Sequence, residues 1–154
     1  MNRPWPWPAA LVLLAGCADV TYTNERLEAL QRELDRQYGL WTAQAISAYE
    51  YRFARECPCP ADLTRTVLVR VQDTVVIAVI YADSGTAVPD SAYRSYFTVE
   101  GLFQQARLAI NALADSLVVQ YDLDLHYPTT IVVDQNRFLL DDELSLFASQ
   151  LTKK

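Results

Sequence analysis

A chain of 154 residues can bury one hydrophobic core and is short for two. About half of it is apolar, only four residues are glycine, and the formal charge is −6. That balance excludes a disordered stalk and argues against nucleic acid or electrostatic docking on anionic headgroups as partners.

The first stretch joins Arg3, its one positive charge, to a short apolar run Ala9–Leu14 and then to Ala15-Gly16-Cys17. These are the three parts of a secretory signal, and the run is far below the roughly 20 residues that cross a bilayer. Leu14-Ala15-Gly16-Cys17 resembles the lipobox read by bacterial lipoprotein-processing enzymes. The resemblance implies that residues 1–16 are a cleaved signal peptide and that Cys17 is diacylated. Two or three acyl chains anchor stably where one gives only marginal binding. Cleavage would remove one arginine and no acid, leaving 138 residues with a formal charge of −7. Ala18, not aspartate, follows the cysteine; by resemblance to proteobacterial sorting rules this favours the outer membrane, facing the periplasm, over the inner membrane of a diderm cell. Residues 17–22 are expected to form a lipidated tether, at most about 18 Å long at ~3.3–3.6 Å per extended residue. Residues 23–152 are then a single domain close to the lipid.

Thr23 or Asn24 is expected to cap a helix whose Leu27, Leu30, Leu34, Tyr38 and Trp41 recur at helical spacing, with Tyr22 and Leu27 as a hydrophobic staple. Gly39 marks an end, or a weak point before a last turn through Ile46. The period then changes to two. Tyr49, Tyr51 and Phe53 share one face of a strand that Pro58 and Pro60 stop. Val67, Val69 and Val71 alternate in the next strand, and Val75–Tyr81 follows Gln72-Asp73 as its hairpin partner. This third strand is apolar on both faces, which predicts a central place in the sheet, covered on both sides, or a self-association surface.

A long loop follows from Asp83 to about Phe97, with Tyr93 and Tyr96 in it. Thr98 caps a second helix with Glu100 in its first turn and Phe97 and Leu102 at staple positions. Its buried face is expected to hold Leu102, Phe103, Ala106, Ala109, Ile110 and Leu113. Leu117–Leu123 alternates as a strand, and Thr129–Asp134 as its hairpin partner after Tyr127-Pro128. The segment Asp141–Leu151 fits a helix capped by Asp141 through Leu144, Phe147, Ala148 and Leu151, and a strand through Leu144, Leu146 and Ala148. Pattern alone favours the helix by a narrow margin.

An ordered set of short motifs runs through the chain: Trp41, Tyr49-x-Tyr51, Cys57-x-Cys59-Pro60, Thr98-Val99-x-x-Leu102-Phe103, Tyr121-Asp122, Tyr127-Pro128-x-x-Ile131-x-x-Asp134 and Asp141-Asp142-Glu143. With the alternating pair Val67–Val71 and Val75–Tyr81, this resembles a family of bacterial lipoproteins, the domain of unknown function 6174 family, from about Trp41 to Leu151. The resemblance implies an α+β fold: an N-terminal helix, a three-strand antiparallel meander, a helix and a second three-strand antiparallel meander, in one mixed or antiparallel sheet with helices packed on it. It therefore turns residues 141–151 toward strand. It implies no activity. The family's usual glycine before Tyr-Pro is His126 here, which argues against a tight turn at that position.

Lipid on Cys17 would leave Cys57 and Cys59 as a pair in an oxidising compartment. Fully extended, their Cα atoms would lie ~6.6 Å apart, at the long edge of disulfide geometry, and a turn around Pro58 would shorten that. A structural disulfide is favoured; a redox-active bridge, half of a soft-metal site that would recruit His126 and still need a carboxylate, and free thiols stay open. Asp122, Asp124 and His126 fall at period two and could share a strand face around a divalent cation, although a solvated outer face is favoured. Asp141-Asp142-Glu143 reads as a solvated loop. Tyr49, Tyr51, Phe53, Tyr93 and Tyr96 could line a glycan or peptide groove, while the strand trio favours core. No Ser–His–Asp order, phosphate loop or basic-aromatic surface stands out, so no catalytic residue and no cofactor is expected. The leading expectation is a non-enzymatic, membrane-tethered envelope module that binds a protein or polymer partner. The alternative is a thiol–disulfide or metal-binding protein centred on Cys57-Pro58-Cys59.

Overall fold

The computed structural model describes residues 18–139 and 141–154, with side chains from Asn24 onward. The expected signal peptide, residues 1–16, and the expected lipidation site Cys17 lie outside the described residues. The first helix, α1, spans Ala18–Ala43 and so begins five residues before its expected cap. Residues 18–22, expected as extended tether, are helical. Neither glycine nor proline interrupts the chain from Ala18 to Tyr38. Gly39 does not end the helix. Leu27, Leu34 and Trp41, seven residues apart, form its fully buried stripe.

Strand β1 (Ala48–Glu56) follows, then a single helical turn α2 (Ala61–Thr64) after Pro60, which periodicity did not predict. Strands β2 (Val67–Gln72) and β3 (Val75–Tyr81) form a hairpin. The loop after β3 contains a 3-10 helix, Asp90–Ser95, and leads into α3 (Val99–Asn111). Thr98 caps α3 as expected, its Oγ accepting the Gly101 N–H at 3.1 Å. Strands β4 (Ser116–Tyr121), β5 (Pro128–Asp134) and β6 (Leu144–Lys153) complete the chain.

The fold is α+β. All six strands form one antiparallel sheet in the order β3-β2-β1-β6-β5-β4, so two meanders join through the first and last strands, with Tyr49 opposite Lys153 and Glu56 opposite Ser145. Leu144–Lys153 is a strand, so the segment 141–151 holds no helix, as the family resemblance implied. Asp141 takes a positive φ of 71° and is no helix cap, while Leu146 and Ala148 point into the core beside Phe53 and Ile131. Registration sandwiched between two strands outweighs the helical reading that single-segment pattern allowed.

Both long helices pack on one face of the sheet. They run antiparallel, linked by the edge-on Tyr38–Phe103 pair (5.2 Å) and the Arg107–Asp35 ion pair (2.7 Å). Beneath them, Tyr49, Tyr51 and Phe53 of β1 stand beside Val71, Val69 and Val67 of β2, all fully buried. These three aromatic residues are core, as their alternation favoured, and line no glycan or peptide groove. Tyr96 is also buried, with its ring 6.2 Å edge-on from Phe53, and Tyr93 packs on the core. Among the described residues, no element covers the other face, which carries Arg52, Phe147, Val132 and the Arg70–Glu50–Lys154 ion cluster.

Strand β3 is an edge strand, not the central one its composition predicted. Its C-terminal half gains cover from its own following loop, which turns back so that Tyr81 N–H reaches Thr86 O and Val88 N–H reaches Val79 O. Its N-terminal half stays open, with Val75 and Ile77 exposed. The extra residue of a bulge in the pairing of Arg70 and Val71 falls here, a device that twists an edge away from further pairing. Leu113, expected inside, follows the end of α3 in left-handed conformation (φ 57°) and faces outward.

Candidate functional site at the end of the first helix

The two ends of the sheet differ. At one end, α1 finishes and the chain turns through residues 44–47 into β1, beside the tight β2–β3 turn. The backbone N–H of Asp73 in that turn donates to Ser47 O at 2.8 Å, fixing the two turns against each other. Between them opens a cleft of about 410 Å³, lined by Trp41, Thr42, Ile46, Asp73, Thr74 and Glu100 among others.

Its polar wall is built from three distant parts of the chain. Trp41, 2% exposed, donates its indole N–H to Glu100 Oε1 at 2.9 Å. The Tyr49 hydroxyl accepts the Val99 N–H at 2.8 Å and lies 3.4 Å from Glu100 Oε2, so its own proton points to that carboxylate. Burial first, then the nearby Glu100 charge, pushes the Tyr49 phenol well above its usual range. It therefore stays protonated and serves as a fixed donor, not as an acid or base at neutral pH. A carboxylate offers about four lone-pair sites, so two donors orient Glu100 and leave acceptor capacity toward the cleft. Asp73, exposed on the opposite lip, adds a second negative charge.

The backbone around the cleft is unusual. Ala45, Asp73 and Thr74 all line it, and all have positive φ (50°, 48° and 64°) without being glycine. Three of the seven such residues among those described are thus gathered on one cleft. Strain of this kind persists only where surrounding contacts enforce it, and it clusters at binding and catalytic sites. A wider groove of about 490 Å³ between α1 and α3 is lined by surface side chains such as Asn24, Glu28, Gln31 and Arg107, and no buried polar group points into it.

Across this same region, from the second half of α1 to the end of β6, a model of a family of unknown function, DUF6174, matches residues 33–153. The chain belongs to that family. No curated protein and no solved structure matches it. In this DUF6174 domain the motif residues Trp41, Tyr49, Thr98 and Val99, scattered through the sequence, meet around Glu100.

The residues singled out as candidate chemistry lie elsewhere. Cys57 and Cys59 sit at the opposite end of the sheet, just beyond β1, and form a disulfide with Cα atoms 5.3 Å apart. A one-residue turn at Pro58, closed by Cys59 N–H to Cys57 O at 2.8 Å, brings them closer than an extended segment would. The pocket beside them is lined by Glu56, Asp141 and Glu143. Those carboxylates offer none of the cationic surroundings that reactive cysteines use. His126 cannot join the pair. It precedes β5, at the Trp41 end, as the register of β5 and β6 on β1 requires.

Asp122, Asp124 and His126 do not share a strand face, because β4 ends at Tyr121. Asp122 Oδ1 is engaged by the N–H groups of Asp124 (3.0 Å) and Leu125 (2.7 Å), an Asx-type cap of the turn. The His126 ring bonds Gln37 Oε1 at 3.0 Å. The tight turn that histidine argued against is present: His126 adopts φ 64°, and its N–H meets Asp122 O at 3.1 Å. Contact with Gln37 on α1 offsets what a glycine would gain in conformational freedom. Among the described residues, no three His, Cys, Asp or Glu side chains converge as a metal site. Also among these residues, no helix is long and apolar enough to cross a membrane.

Sequence reasoning missed Glu100 and Asp73. The available signal was the motif of Trp41, Tyr49 and capped Thr98-Val99, but it did not show that residues 59 apart in sequence touch.

Proposed function

We propose that the chain is a non-enzymatic binding module of the cell envelope, anchored by lipid on Cys17, whose cleft at Trp41 and Glu100 receives a cationic side chain of a protein partner. The observation that carries the reading is Glu100, a carboxylate held in place by two buried donors on the wall of a partly apolar cleft. A preorganised anion beside Trp41 and Ile46 suits a lysine or arginine side chain, whose charged head pairs with carboxylate while its stem covers apolar surface. The exposed charge of Asp73 adds to the attraction. The hydroxyls on the cleft, those of Thr42, Ser47 and Thr74, have no histidine beside them, and the Tyr49 phenol is held protonated. Capture, not turnover, fits this arrangement.

The anchoring half of the reading is supported by the lipobox-like Leu14-Ala15-Gly16-Cys17. At ~1.5 Å per residue, Trp41 lies about 36 Å along α1 from Cys17, so the cleft would stand away from the bilayer. The alanine at position 18 favours the outer membrane, with the domain in the periplasm.

Trp41 is the only tryptophan after Cys17, so its emission reports on the cleft directly. Titration of the processed protein with tri-lysine is expected to shift that emission saturably. Glu100→Gln keeps an acceptor for the Trp41 N–H but removes the charge, and should weaken binding about tenfold, the equivalent of about 1.4 kcal/mol. Equal binding by the variant, or no saturable response in the parent, would remove the cleft from consideration.

A further inference from the structure

We propose that the loops at the α1-start end of the sheet form a second contact with the bilayer, with Phe138, Leu139 and Leu113 dipping into the lipid interface and Arg137 meeting lipid phosphates. The inference rests on the anchored reading of Cys17 and adds an orientation to it.

Three large apolar side chains stand in water on two adjoining loops: Phe138 is 81% exposed, Leu139 58% and Leu113 65%. The loops are stitched together. Gln135 Nε2 donates to Ala112 O at 3.1 Å, and the Arg137 N–H donates to Asp115 Oδ2 at 3.0 Å. Within the second loop, Asn136 Oδ1 accepts the Phe138 N–H at 3.0 Å and Asn136 O the Leu139 N–H at 2.8 Å. This is a braced platform that displays its apolar side chains, not a tail that has failed to find the core. Leu123, at the other end of the sheet, is exposed alone, and single exposed residues are ordinary.

What covers the platform follows from where α1 begins. The Arg26 guanidinium donates to Leu117 O at 3.2 Å, so the first half of α1 passes the start of β4. Asn24 and Leu27 share a groove with Ile110 and Leu113. The helix then continues to Ala18, one residue from Cys17. A lipid on Cys17 thus emerges at the same end as the platform. A helix carried to the residue next to the anchor holds the domain more closely than an extended tether would, and intramolecular proximity makes even a weak second contact effective. Aromatic and aliphatic side chains beside an arginine, whose guanidinium lies 5.1 Å from the Phe138 ring, match the chemistry of the bilayer interface. The acidic charge of the domain argues for an apolar contact and against attraction to anionic headgroups.

The test places a tryptophan on the platform, Phe138→Trp, and another at the opposite end of the sheet, Val75→Trp, in the processed protein reconstituted into phosphatidylethanolamine–phosphatidylglycerol vesicles containing shallow-brominated phosphatidylcholine. Vesicle flotation reads the anchor, and quenching relative to the parent reads the contact. The expected result is a blue-shifted emission at position 138 with loss of signal to brominated lipid, and none at position 75. If the protein fails to float, the anchored reading fails by itself; coupling the Cys17 thiol to maleimide-bearing lipid, with Cys57 and Cys59 bridged, then supplies the tether and the same comparison is made. Position 138 unquenched on vesicles that hold the protein, or both positions quenched alike, would overturn the contact.

Discussion

Thr74 is the least comfortable residue on the cleft. A β-branched side chain at φ 64° crowds its own backbone, and the two-residue β2–β3 connection, with Asp73 at 48°, has the signs of a type I′ turn, which favours Asn-Gly. Thr74→Gly is expected to stabilise the protein by about 1 kcal/mol, because relief of left-handed strain exceeds the extra freedom of the unfolded glycine. Urea unfolding midpoints of parent and variant check this, and an unchanged or lower midpoint would show that Thr74 is not strained. His126 teaches a related lesson. Its left-handed turn was hidden from sequence reading because histidine is not a turn residue by type. The contact that makes it tolerable, to Gln37, comes from a helix 89 residues away.

The elements were legible where one period dominated. Alternation in β1, β2 and β5 and the capped start of α3 could be read directly, since each buries one continuous face. β6 could not, because Leu144, Leu146, Phe147, Ala148 and Leu151 satisfy both periods and only pairing with β1 and β5 decides between them. β3 was misplaced because apolar composition on both faces does not distinguish a covered strand from an edge strand that recruits its own loop. The disulfide belongs to this scale too. It closes a ring of three residues, for which chain entropy predicts only about 1.6 kcal/mol. Replacing Cys57 and Cys59 together by serine should cost no more than about 2 kcal/mol in urea unfolding and leave the β1–β6 pairing intact by amide hydrogen exchange. A loss of protection along both strands would mean that the bridge organises the sheet and does not merely finish it.

For the whole molecule, the buried phenols set an alkaline limit. Burial pushes the phenols of Tyr49, Tyr51, Tyr96, Tyr121 and Tyr127 upward, Tyr51 while donating to Phe97 O. In the unfolded chain a tyrosine loses its proton near pH 10. Above that value the unfolded state binds fewer protons than the native state, so stability falls as pH rises; below it the contribution is fully present. Each phenol that stays protonated contributes a slope of up to about 1.4 kcal/mol per pH unit. The urea midpoint is therefore expected to hold steady to about pH 9 and drop steeply by about pH 11. A flat profile across that window would show that these phenols ionise freely in the native state. The same scale explains why the cleft was not legible in sequence: its carboxylate, indole and phenol come from α3, α1 and β1 and converge only when both helices lie on the sheet.

The pairing of the first strand with the last has a kinetic consequence. Tyr49 finds Lys153 only by closing a loop of about a hundred residues, and pairings this distant in sequence form late and slowly. Until β6 is available, β1 has no neighbour on one side, and the β4–β5 hairpin has nothing to join it to the rest of the sheet. A chain wired in this way cannot lock before β6 has been made. Under the export proposed above, that delay would keep the polypeptide threadable until β6 has been made.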